Sequence, residues 1–591
     1  MKWQVKTKAP DAFFKQFPEF SPLIAQLLYN RGLRTQPQID EFFNLDYQTD
    51  IHNPFLLKGM KRAVKRIAQA IKRQEKIAVY GDFDADGVCA TAIVSLTLQK
   101  LGAQKIDIYI PDREKENHGL NNNSIQQLAQ AGTNLIITVD CASTDLEEVK
   151  LANSLGLDVI ITDHHELKKN LPPAVALINP RQKNDRYPFK SLAGAGIAYK
   201  LACALLSSKA GNLDKVQREA FKKWLLDLTA LATVADVEPL IGENRTLVKY
   251  GLGVLAQTKW LGLKKLMEIA RISPEITQSS LNGEAPLTNL DSYTLAFILG
   301  PRLNAAGRMK HADIAYGLLV SQNESQAEEL AQKINQSNLS RRNVTERVFK
   351  EAETRLINKF NQGENPKLIF EGSPDWPVGV NGLVASKLSD KYNRPAVIYQ
   401  EKGDLIRASC RSPHYFDLMT LFNQSAEYFD DYGGRKGTGG FQMNKKNLAK
   451  ARESFIKTAE EKLKDLDIEP ILEIDAELSL GDINWQNYDQ IELFAPFGRA
   501  NPKPVFLIKG VEIADSRMVG NNSQHLKMEL LLFDKDSDIP KNFKAIAFGL
   551  GERESLLKKG SSVNVIFELI ANQWNGQRDL EMKVKEIRLA D

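Results

Sequence analysis

The stretch IAVYGDFDADG, residues 77–87, decides the fold, because a short apolar run ends there in three alternating aspartates. Residues 77–80 are aliphatic or aromatic, as in a buried strand. Asp82, Asp84 and Asp86 follow almost directly. In an open α/β sheet, ligands bind beyond the carboxyl ends of the strands. The stretch therefore predicts a sheet strand with a ligand site at its end.

The same order of strand and helix recurs further along the chain. The pattern predicts strands at 106–110, 135–139 and 159–162, and helices at 60–73, 123–131 and 146–155. Strands that alternate with helices form parallel sheets whose two faces are covered. We therefore predict an α/β fold with a doubly wound parallel sheet.

Two more acidic groups follow predicted strands. Asp140 ends the strand at 135–139, and the run Asp163-His164-His165 ends the strand at 159–162. Carboxylates that meet in one crevice stay ionised only if cations neutralise them. Carboxylate oxygens with an imidazole nitrogen suit Mn²⁺ or Mg²⁺. The three strand ends together predict a divalent metal site.

Other interpretations of these acids need weighing. Residues 82–87 match the start of a calcium-binding EF-hand loop, but the twelfth position is Ile93 instead of Glu, and a strand precedes it. We reject that interpretation. Asp82 also fits an ordinary helix N-cap. Asp236, a single acid in an apolar stretch, is a candidate ligand, because a buried acid needs a partner or a metal.

The rest of the chain predicts three more regions. Residues 194–320 have a mainly helical pattern, and 324–360 fit one long helix of about 50 Å that would connect two lobes. A second α/β unit spans 368–466 and includes a predicted glycine-rich loop at 433–440. After Pro470, short alternating strands predict a small β-barrel or sandwich.

Composition excludes several classes of protein. Of the 591 residues, 78 are Lys or Arg and 74 are Asp or Glu, a net charge of +4, so nucleic-acid binding would need a local basic surface. No apolar run approaches the ~18 residues of a membrane span, and charges interrupt the first residues where a secretory signal is apolar. The four cysteines are scattered, which argues against disulfides and a zinc site. We expect a cytoplasmic protein.

The motifs resemble those of the DHH phosphoesterase superfamily, and most nearly those of its RecJ single-strand-specific exonucleases. The resemblance rests on VYGDFDADG (79–87), VD (139–140), TDHHE (162–166), LAGAGIAYKL (192–201), LATVADVEPL (231–240), GPRLNAAGRM (300–309) and LFAPFGRANPKPVF (493–506). It implies an N-terminal cap at 1–57, a DHH catalytic domain at 58–322, a connecting helix at 323–362, a smaller α/β DHHA1 domain at 363–466 and an OB-fold β-barrel at 467–591.

The resemblance also implies two metal ions, Mn²⁺ or Mg²⁺, held by the strand-end residues. Asp84 and Asp140 would hold one ion, which Asp82 assists. The other ion would be held by Asp86, Asp140, His164 and Asp236, so that Asp140 bridges the pair. His165 would face the scissile phosphate.

By the same resemblance, a second group of residues would bind substrate. Ser409 and Arg411 would hold a 5′ phosphate, since an arginine fork suits phosphate oxygens. Arg302, Asn304 and Arg308 would contact the sugar-phosphate backbone of the substrate near the cleft. The backbone of the glycine-rich segment, with Gly433, Gly434 and Arg435, would approach phosphates closely.

Four positions depart from the family pattern. Arg435 stands where a histidine is usual, and Ala142 belongs to a Cys-Ala pair that replaces the glycine usual after Asp140. His118 replaces a tyrosine, and Asn381 replaces a small apolar residue. None of these changes removes a predicted metal ligand.

The resemblance implies a monomeric exonuclease that degrades single-stranded DNA from its 5′ end to 5′ mononucleotides in recombination and repair. A helicase and single-strand-binding protein would be its partners, and no membrane is implied. In the C-terminal region, Phe494, Phe497, Arg499 and Trp574 are candidates for stacking with bases. Two alternatives stay open, namely a phosphodiesterase for short oligonucleotides or cyclic dinucleotides, and a non-catalytic single-strand-binding replication protein.

Overall fold

The computed structural model describes residues 1–590 except 114, 117, 209–210, 212, 279–285, 521–522, 535–536 and 575–576. The chain forms two compact units, one of Met1–Asp46 with Ile471–Asp591 and the other of Tyr47–Pro470. Across the described residues, none of the helices is both long enough and apolar enough to span a bilayer.

The first 46 residues contain one strand and three helices: β1 (Lys2–Val5), α1 (Asp11–Gln16), α2 (Pro22–Asn30) and α3 (Gln36–Phe43). Helix α2 begins where the Ser21 side chain accepts a hydrogen bond from Ile24 N, with Pro22 in the first turn. Its buried side chains share a core with strands of residues 506–587. The sequence pattern treats 1–57 as a separate cap, whereas the structure groups 1–46 with the C-terminal region.

The first lobe of the larger unit is an α/β layer followed by helices. Its strands are β2 (Ile77–Tyr80), β3 (Ile106–Tyr109), β4 (Leu135–Val139), β5 (Asp158–Thr162), β6 (Ala176–Ile178), β7 (Ile276–Gln278) and β8 (Leu287–Thr288). Its helices are α4 (Tyr47–Asp50), α5 (Met60–Arg73), α6 (Ala85–Lys100), α7 (Asn122–Gln130), α8 (Leu146–Ser154), α9 (Gly194–Ser207), α10 (Lys215–Trp224), α11 (Leu226–Ala235), α12 (Gly242–Leu255), α13 (Leu261–Ile269), α14 (Gly300–Met309) and α15 (Asp313–Val320).

Five of these strands form one parallel sheet in the order β3-β2-β4-β5-β6. Alternate side chains of each strand enter two cores: Ile77 and Val79 pack with α5, α6 and α9, and Ala78 and Tyr80 pack with α7 and α8. The predicted doubly wound sheet is therefore confirmed. Strand β3, the next in the chain, lies on one side of β2, and β4 lies on the other side. The strand order therefore reverses between β2 and β4. Ligands bind at such a point.

Helix α16 (Glu324–Asn361) is the long helix that the sequence predicts, and it has 38 residues. Its N-terminal half buries Ala327, Ala331 and Ile334 in the core of the first lobe. Its C-terminal half buries Val348 and Leu356 in the core of the second lobe. A single helix thus belongs to both cores, as expected of a connector.

The second lobe is a smaller α/β layer made of β9 (Ile369–Ser373), α17 (Val378–Tyr392), β10 (Ala396–Lys402), β11 (Leu405–Arg411), α18 (Leu418–Gln424), β12 (Asp431–Arg435), β13 (Thr438–Asn444) and α19 (Leu448–Leu463). Its sheet has the order β12-β13-β11-β10-β9, and only β9 and β10 run parallel. Helix α17 packs on one face, whereas α18 and α19 pack on the other.

The C-terminal region contains β14 (Ile471–Ile474), β15 (Ala476–Glu477), α20 (Trp485–Glu492), β16 (Phe506–Val519), β17 (His525–Asp534), β18 (Ser537–Ala547), β19 (Ser562–Trp574) and β20 (Gln577–Leu589). Strand β16 pairs with both β17 and β19, so the order β16-β17-β18-β20-β19 closes on itself. The predicted barrel is confirmed, although its strands are longer than the sequence pattern indicates. Strand β1 pairs in parallel with β14.

Candidate metal centre and phosphate-binding residues

The predicted acidic residues meet at the carboxyl edge of the parallel sheet. Strands β2, β4 and β5 are neighbours, and each ends in acidic residues or histidines. Among the described residues, three groups place one ligand atom from each member within 4.8 Å of one another: Asp82, Asp84 and Asp140; Asp86, His164 and Asp236; and Asp140, His164 and His165. The structure therefore brings together every residue for which the sequence predicts a metal or catalytic role.

Backbone N–H groups hold two of the carboxylates in place. Asp84 is the N-cap of α6, and its Oδ1 accepts hydrogen bonds from Asp86 N at 2.9 Å and Gly87 N at 3.1 Å. Asp86 accepts hydrogen bonds from Gly194 N at 2.6 Å and Ala195 N at 2.7 Å, at the start of α9. The positive end of that helix favours the ionised carboxylate.

Gly194 lets α9 approach the metal residues closely. A Cβ at this position would lie 2.4 Å from Asp140 Oδ1 and 2.5 Å from Asp140 Cγ. Any side chain there would displace Asp140. This contact gives the first glycine of the LAGAG motif a physical reason that the sequence does not supply.

Asp140 and Ala142 adopt left-handed backbone conformations, with φ of 63° and 79°. Aspartate tolerates this region better than alanine does. The conformation turns the chain immediately after β4, so that Asp140 lies under α9. Ala142 thus occupies a position where glycine fits with less strain. This explains why the family pattern has a glycine at this turn, which this chain lacks.

Asp163 orients the histidines instead of facing the other carboxylates. It accepts hydrogen bonds from Ser143 N at 2.9 Å, His164 N at 2.7 Å and His165 N at 3.1 Å, and it lies 2.8 Å from His165 Nδ1. Burial alone would raise the pKa of Asp163, but the bond and charge of His165 outweigh it and lower that pKa. The carboxylate therefore stays ionised and fixes the loop.

His164 lies between carboxylates on both sides of its ring. Its Nε2 is 3.3 Å from Asp140 Oδ1 and 3.8 Å from Asp236 Oδ2, and its Nδ1 is 3.2 Å from Glu238 Oε1. A carboxylate behind a histidine orients the ring and raises its basicity toward a metal. Glu238 is a functional candidate that the sequence analysis missed, although it lies two residues after Asp236 in a quoted motif.

The electrostatics of the cluster favour bound cations. Burial, and then the charge of neighbouring carboxylates, raise the pKa of Asp86, Asp140 and Asp84. Burial raises the pKa of Asp236 to about 6. Within the described part of the chain, the buried Asp140 Oδ1 accepts no well-aligned hydrogen bond. Buried carboxylates with one imidazole and an open acceptor are a donor set that fits Mn²⁺ or Mg²⁺.

His118 is a second residue whose role the sequence analysis did not identify. Its Nδ1 lies 3.1 Å from Asp82 Oδ1, and the charge of Asp82 raises the pKa of His118 to about 9. Burial would raise the pKa of Asp82, yet His118 lowers it overall. The histidine that replaces the usual tyrosine therefore neutralises one carboxylate at the edge of the cluster.

Of the three substrate residues predicted on α14, Asn304 contacts the segment of the metal residues and Arg308 contacts the second lobe. Asn304 Oδ1 accepts a hydrogen bond from Ala85 N at 2.8 Å, between the metal residues Asp84 and Asp86. Arg308 Nη1 donates to Gly379 O of the second lobe at 3.0 Å. Burial, and then the charge of Arg113, lower the pKa of Arg308 to about 9. Arg302 donates to Ile298 O at 2.6 Å.

Arg113 is a third residue that sequence reasoning missed. Burial lowers its pKa, and Asp82 and Asp84 partly oppose that effect. Its charge in turn lowers the pKa of Arg308 and Arg411. Arg113 is therefore close enough to both the carboxylates and the other arginines for their charges to interact. We define the arginine cluster as Arg113, Arg308 and Arg411.

The substrate residues predicted in the second lobe align in two rows across its sheet. Ser409 pairs with Gly440, which pairs with Gly433. Arg411 pairs with Thr438, which pairs with Arg435. A Cβ at Gly382 of α17 would lie 3.0 Å from Arg411 Nη2, so the helix passes close to this guanidinium.

The glycine-rich segment is not the loop that the sequence predicts. Gly433, Gly434 and Arg435 lie on β12, which forms a hairpin with β13. A Cβ at Gly439 would lie 2.5 Å from a Phe422 ring carbon. The lack of a side chain at Gly439 lets the hairpin pack on that ring. Glycines in a strand can thus serve close packing, although such a composition is more typical of a loop.

Two other residues singled out in the sequence, Phe494 and Asn381, have buried side chains. Phe494, a candidate for base stacking, has no exposed surface and packs against the rings of Phe42 and Phe43, so it belongs to the core instead. The side chain of Trp574 lies outside the described residues. Asn381 is fully buried, and neither atom of its amide has a hydrogen-bond partner among the residues that the structure describes.

Comparisons with known proteins agree with this geometry. A sequence model of the DHH family N-terminal domain matches residues 76–233, and one of the RecJ OB domain matches 474–586. The chain is 36% identical to the single-stranded-DNA-specific exonuclease RecJ of Bacillus subtilis, over 100% of this chain and 71% of that protein. It is 31% identical to that of Haemophilus influenzae, over 96% of both chains. A solved structure of RecJ from Thermus thermophilus in complex with Mn²⁺ is similar, with a TM-score of 0.79, 25% identity, and coverage of 100% of this chain and 80% of that one.

Proposed function

Because the chain belongs to the RecJ family of single-stranded-DNA-specific exonucleases and is therefore a nuclease, we propose that it removes mononucleotides from the 5′ end of single-stranded DNA. The observation that carries this proposal is the pairing of two charged clusters in one compact unit. Clustered carboxylates suit divalent cations, and the neighbouring arginine cluster suits the phosphates of a polyanion.

Asp82, Asp84 and Asp140 would hold one ion, and Asp86, Asp140, His164 and Asp236 would hold a second. Two ions, Mn²⁺ or Mg²⁺, would activate a water and offset the charge that develops on the phosphate. The residues of the chain fix where this happens. Asp86 is held by two backbone N–H groups, and His164 is backed by Glu238. Little reorganisation is then needed during the reaction.

His165 would contact the phosphate that is cleaved. Its side chain is 46% exposed, and its Nδ1 lies 2.8 Å from Asp163 Oδ1. Asp163 thereby fixes the ring and leaves Nε2 for substrate. A fixed donor at this point would stabilise the charge that develops on the phosphate oxygens.

The second lobe would set the direction of cleavage. Ser409 and Arg411 would bind the terminal 5′ phosphate, with Gly433, Gly434 and Arg435 across the same sheet and Arg302, Asn304 and Arg308 on the backbone that follows. A terminal phosphate site a fixed distance from the metal residues allows removal of one nucleotide at a time. We further propose recombination and repair as the process, and a helicase and single-strand-binding protein as partners.

The test uses one DNA sequence in several forms. The protein is incubated with Mn²⁺ or Mg²⁺ and strands labelled at the 5′ or 3′ end, the matching blunt duplex, a dinucleotide and a cyclic dinucleotide. We expect the 5′ label to appear at once as a mononucleotide, the 3′ label to shorten progressively, and the blunt duplex to resist. Digestion of the two dinucleotides alone would contradict the proposal, and so would early release of the 3′ label.

A further inference from the structure

Two exposed aromatic rings lie against each other on the helical segment before α14. Tyr293 is 56% exposed and Phe297 is 66% exposed. Their ring centroids are 4.8 Å apart, and the ring planes are inclined by 30°. A single exposed apolar residue needs no explanation. Two adjacent exposed rings form an apolar surface large enough to contact a base.

The backbone that carries these rings is unusual. Residues Thr294–Leu299 form a π-helical turn that continues into α14. Such turns are rare and occur frequently at functional sites. Tyr293 directly precedes this turn and Phe297 lies within it, and both side chains are on the surface. The neighbouring Leu295 and Leu299 remain buried in the core of the lobe.

The aromatic pair lies a short distance from the metal residues. Gly300 packs so closely on Ala235, which precedes Asp236, that a Cβ there would lie 3.0 Å from Ala235 Cβ. Four residues later, Asn304 Oδ1 accepts a hydrogen bond from Ala85 N. Phe297 and Asn304 are seven residues apart, or roughly 10 Å along a helix. That distance corresponds to about three stacked nucleotides at ~3.4 Å each.

Positive charge lies beside the rings. The guanidinium of Arg302 donates to Ile298 O, so it lies next to the residue that follows Phe297. Arg342 lies close enough for its charge to lower the pKa of Arg302, after burial. Aromatic rings beside cationic side chains are the combination that binds single-stranded nucleic acid without sequence preference.

We propose that Tyr293 and Phe297 form a stacking platform for the bases of single-stranded DNA, a few nucleotides from the bond that is cleaved. This inference rests on the proposed function. Arg302 and Arg342 hold the phosphates of the same nucleotides. The bases of a duplex are already paired and stacked, so they are not free to lie on the rings. The platform therefore contributes to the choice of single strands.

The test measures the wild type and two double variants on each of two substrates. The variants are Tyr293→Ala/Phe297→Ala and the control Tyr293→Phe/Phe297→Tyr, which keeps both rings. The substrates are a 5′-phosphorylated single strand and the same strand with abasic nucleotides at its second to fifth positions. KM and kcat are measured for each pair. Because both rings are exposed, the alanine changes leave stability nearly unchanged, which a melting curve checks.

We expect the alanine variant to raise KM for the normal strand by about tenfold or more while kcat stays within about twofold. The abasic strand should raise KM of the wild type by a similar factor and add no further loss in the alanine variant. Equal KM values for wild type and alanine variant would overturn the platform, as would the same loss on both strands. If the wild type fails to cut the normal strand, the proposed function is wrong instead.

Discussion

The carboxylates and the arginine cluster of the larger unit are both partly unpaired, but the fold holds them differently. Asp84, Asp86 and Asp163 accept several backbone hydrogen bonds each. Arg308 and Arg411 donate only single bonds to carbonyl oxygens, Gly379 O and Cys410 O, and neither forms an ion pair within the described residues.

Burial shifts the pKa of the two clusters in opposite directions. It raises the pKa of Asp86 and Asp140 and lowers that of Arg308 and Arg411. Each shift means that nearby opposite charge does not fully offset the burial of the charged form. The carboxylates, held by several backbone hydrogen bonds, suit bound metal ions, whereas the arginines, with few hydrogen bonds to the chain, keep N–H groups available for phosphates.

Replacement of Asp140 should have the largest effect, because both proposed ion sites include it. We expect Asp140→Asn to lower kcat by about a thousandfold or more, or about 4 kcal/mol of transition-state stabilisation. Asparagine tolerates the left-handed backbone at this position, so the fold should survive. Single-strand binding should change little. Asp107→Asn on β3, whose carboxylate pairs with Lys76, is the control and should keep full activity.

Loss of Arg411 should affect substrate instead of chemistry. Arg411→Ala should raise KM for a 5′-phosphorylated strand by about 10- to 100-fold, as expected for a lost hydrogen bond to a charged group. A strand with a 5′ hydroxyl should lose less. The DNA-free protein should not be destabilised, because the removed charge has no ion-pair partner among the described residues. The exposed Arg452→Ala change is the control, and an equal loss on both strands would argue against a terminal phosphate site.

Metal should stabilise the protein more at high pH than at low pH. The pKa of Asp236 is raised from 3.8 to about 6, and that of His118 from 6.5 to about 9. Each group therefore contributes fully to folding stability below its ordinary pKa, and this contribution is lost as pH rises through its raised pKa. Metal-free stability should therefore fall between about pH 4 and about pH 9. Bound Mn²⁺ requires ionised carboxylates and should reverse this trend, by about 2.7 kcal/mol at 100 times its Kd.

Melting curves with chelator and with Mn²⁺ across this pH range measure the effect. The Asp140→Asn variant is the control, and its Mn²⁺-dependent shift should be much smaller. A wild-type shift of the same size at every pH would mean that the carboxylate cluster does not bind the ion.

Replacement of Asn381, in the second lobe, should have the smallest effect. Because its buried amide has no hydrogen-bond partner among the described residues, Asn381→Leu should raise the free energy of unfolding by about 1 kcal/mol in urea titrations. Asn358→Leu, at an exposed position on α16, should change it little. A destabilised Asn381→Leu variant would show that the amide has a partner, such as a buried water.

The sequence predicted the carboxylate side well, because buried strands and the acids that end them are adjacent in the chain. The same adjacency does not identify Glu238, since nothing local distinguishes a carboxylate behind His164 from one in water. Arg113 has no local signal either, because its neighbours come from distant segments. His118 was visible only as a departure from a family pattern.

The remaining errors have physical causes of the same kind. Glycines predicted a loop at 433–440, where they instead let a hairpin pack on Phe422. Phe494 lies in a core formed partly by the first 46 residues, and β1 pairs with a strand that begins at Ile471. Periodicity reports which residues are buried, but it does not report which distant segment buries them.

A calorimetric titration of Mn²⁺ into metal-free protein at neutral pH counts the ions that the carboxylates bind. We expect two ions for each wild-type chain, and no more than one for the Asp140→Asn variant, since Asp140 belongs to both proposed sites. A wild-type chain that binds fewer than two ions would contradict the two-ion site, and so would an Asp140→Asn variant that still binds two.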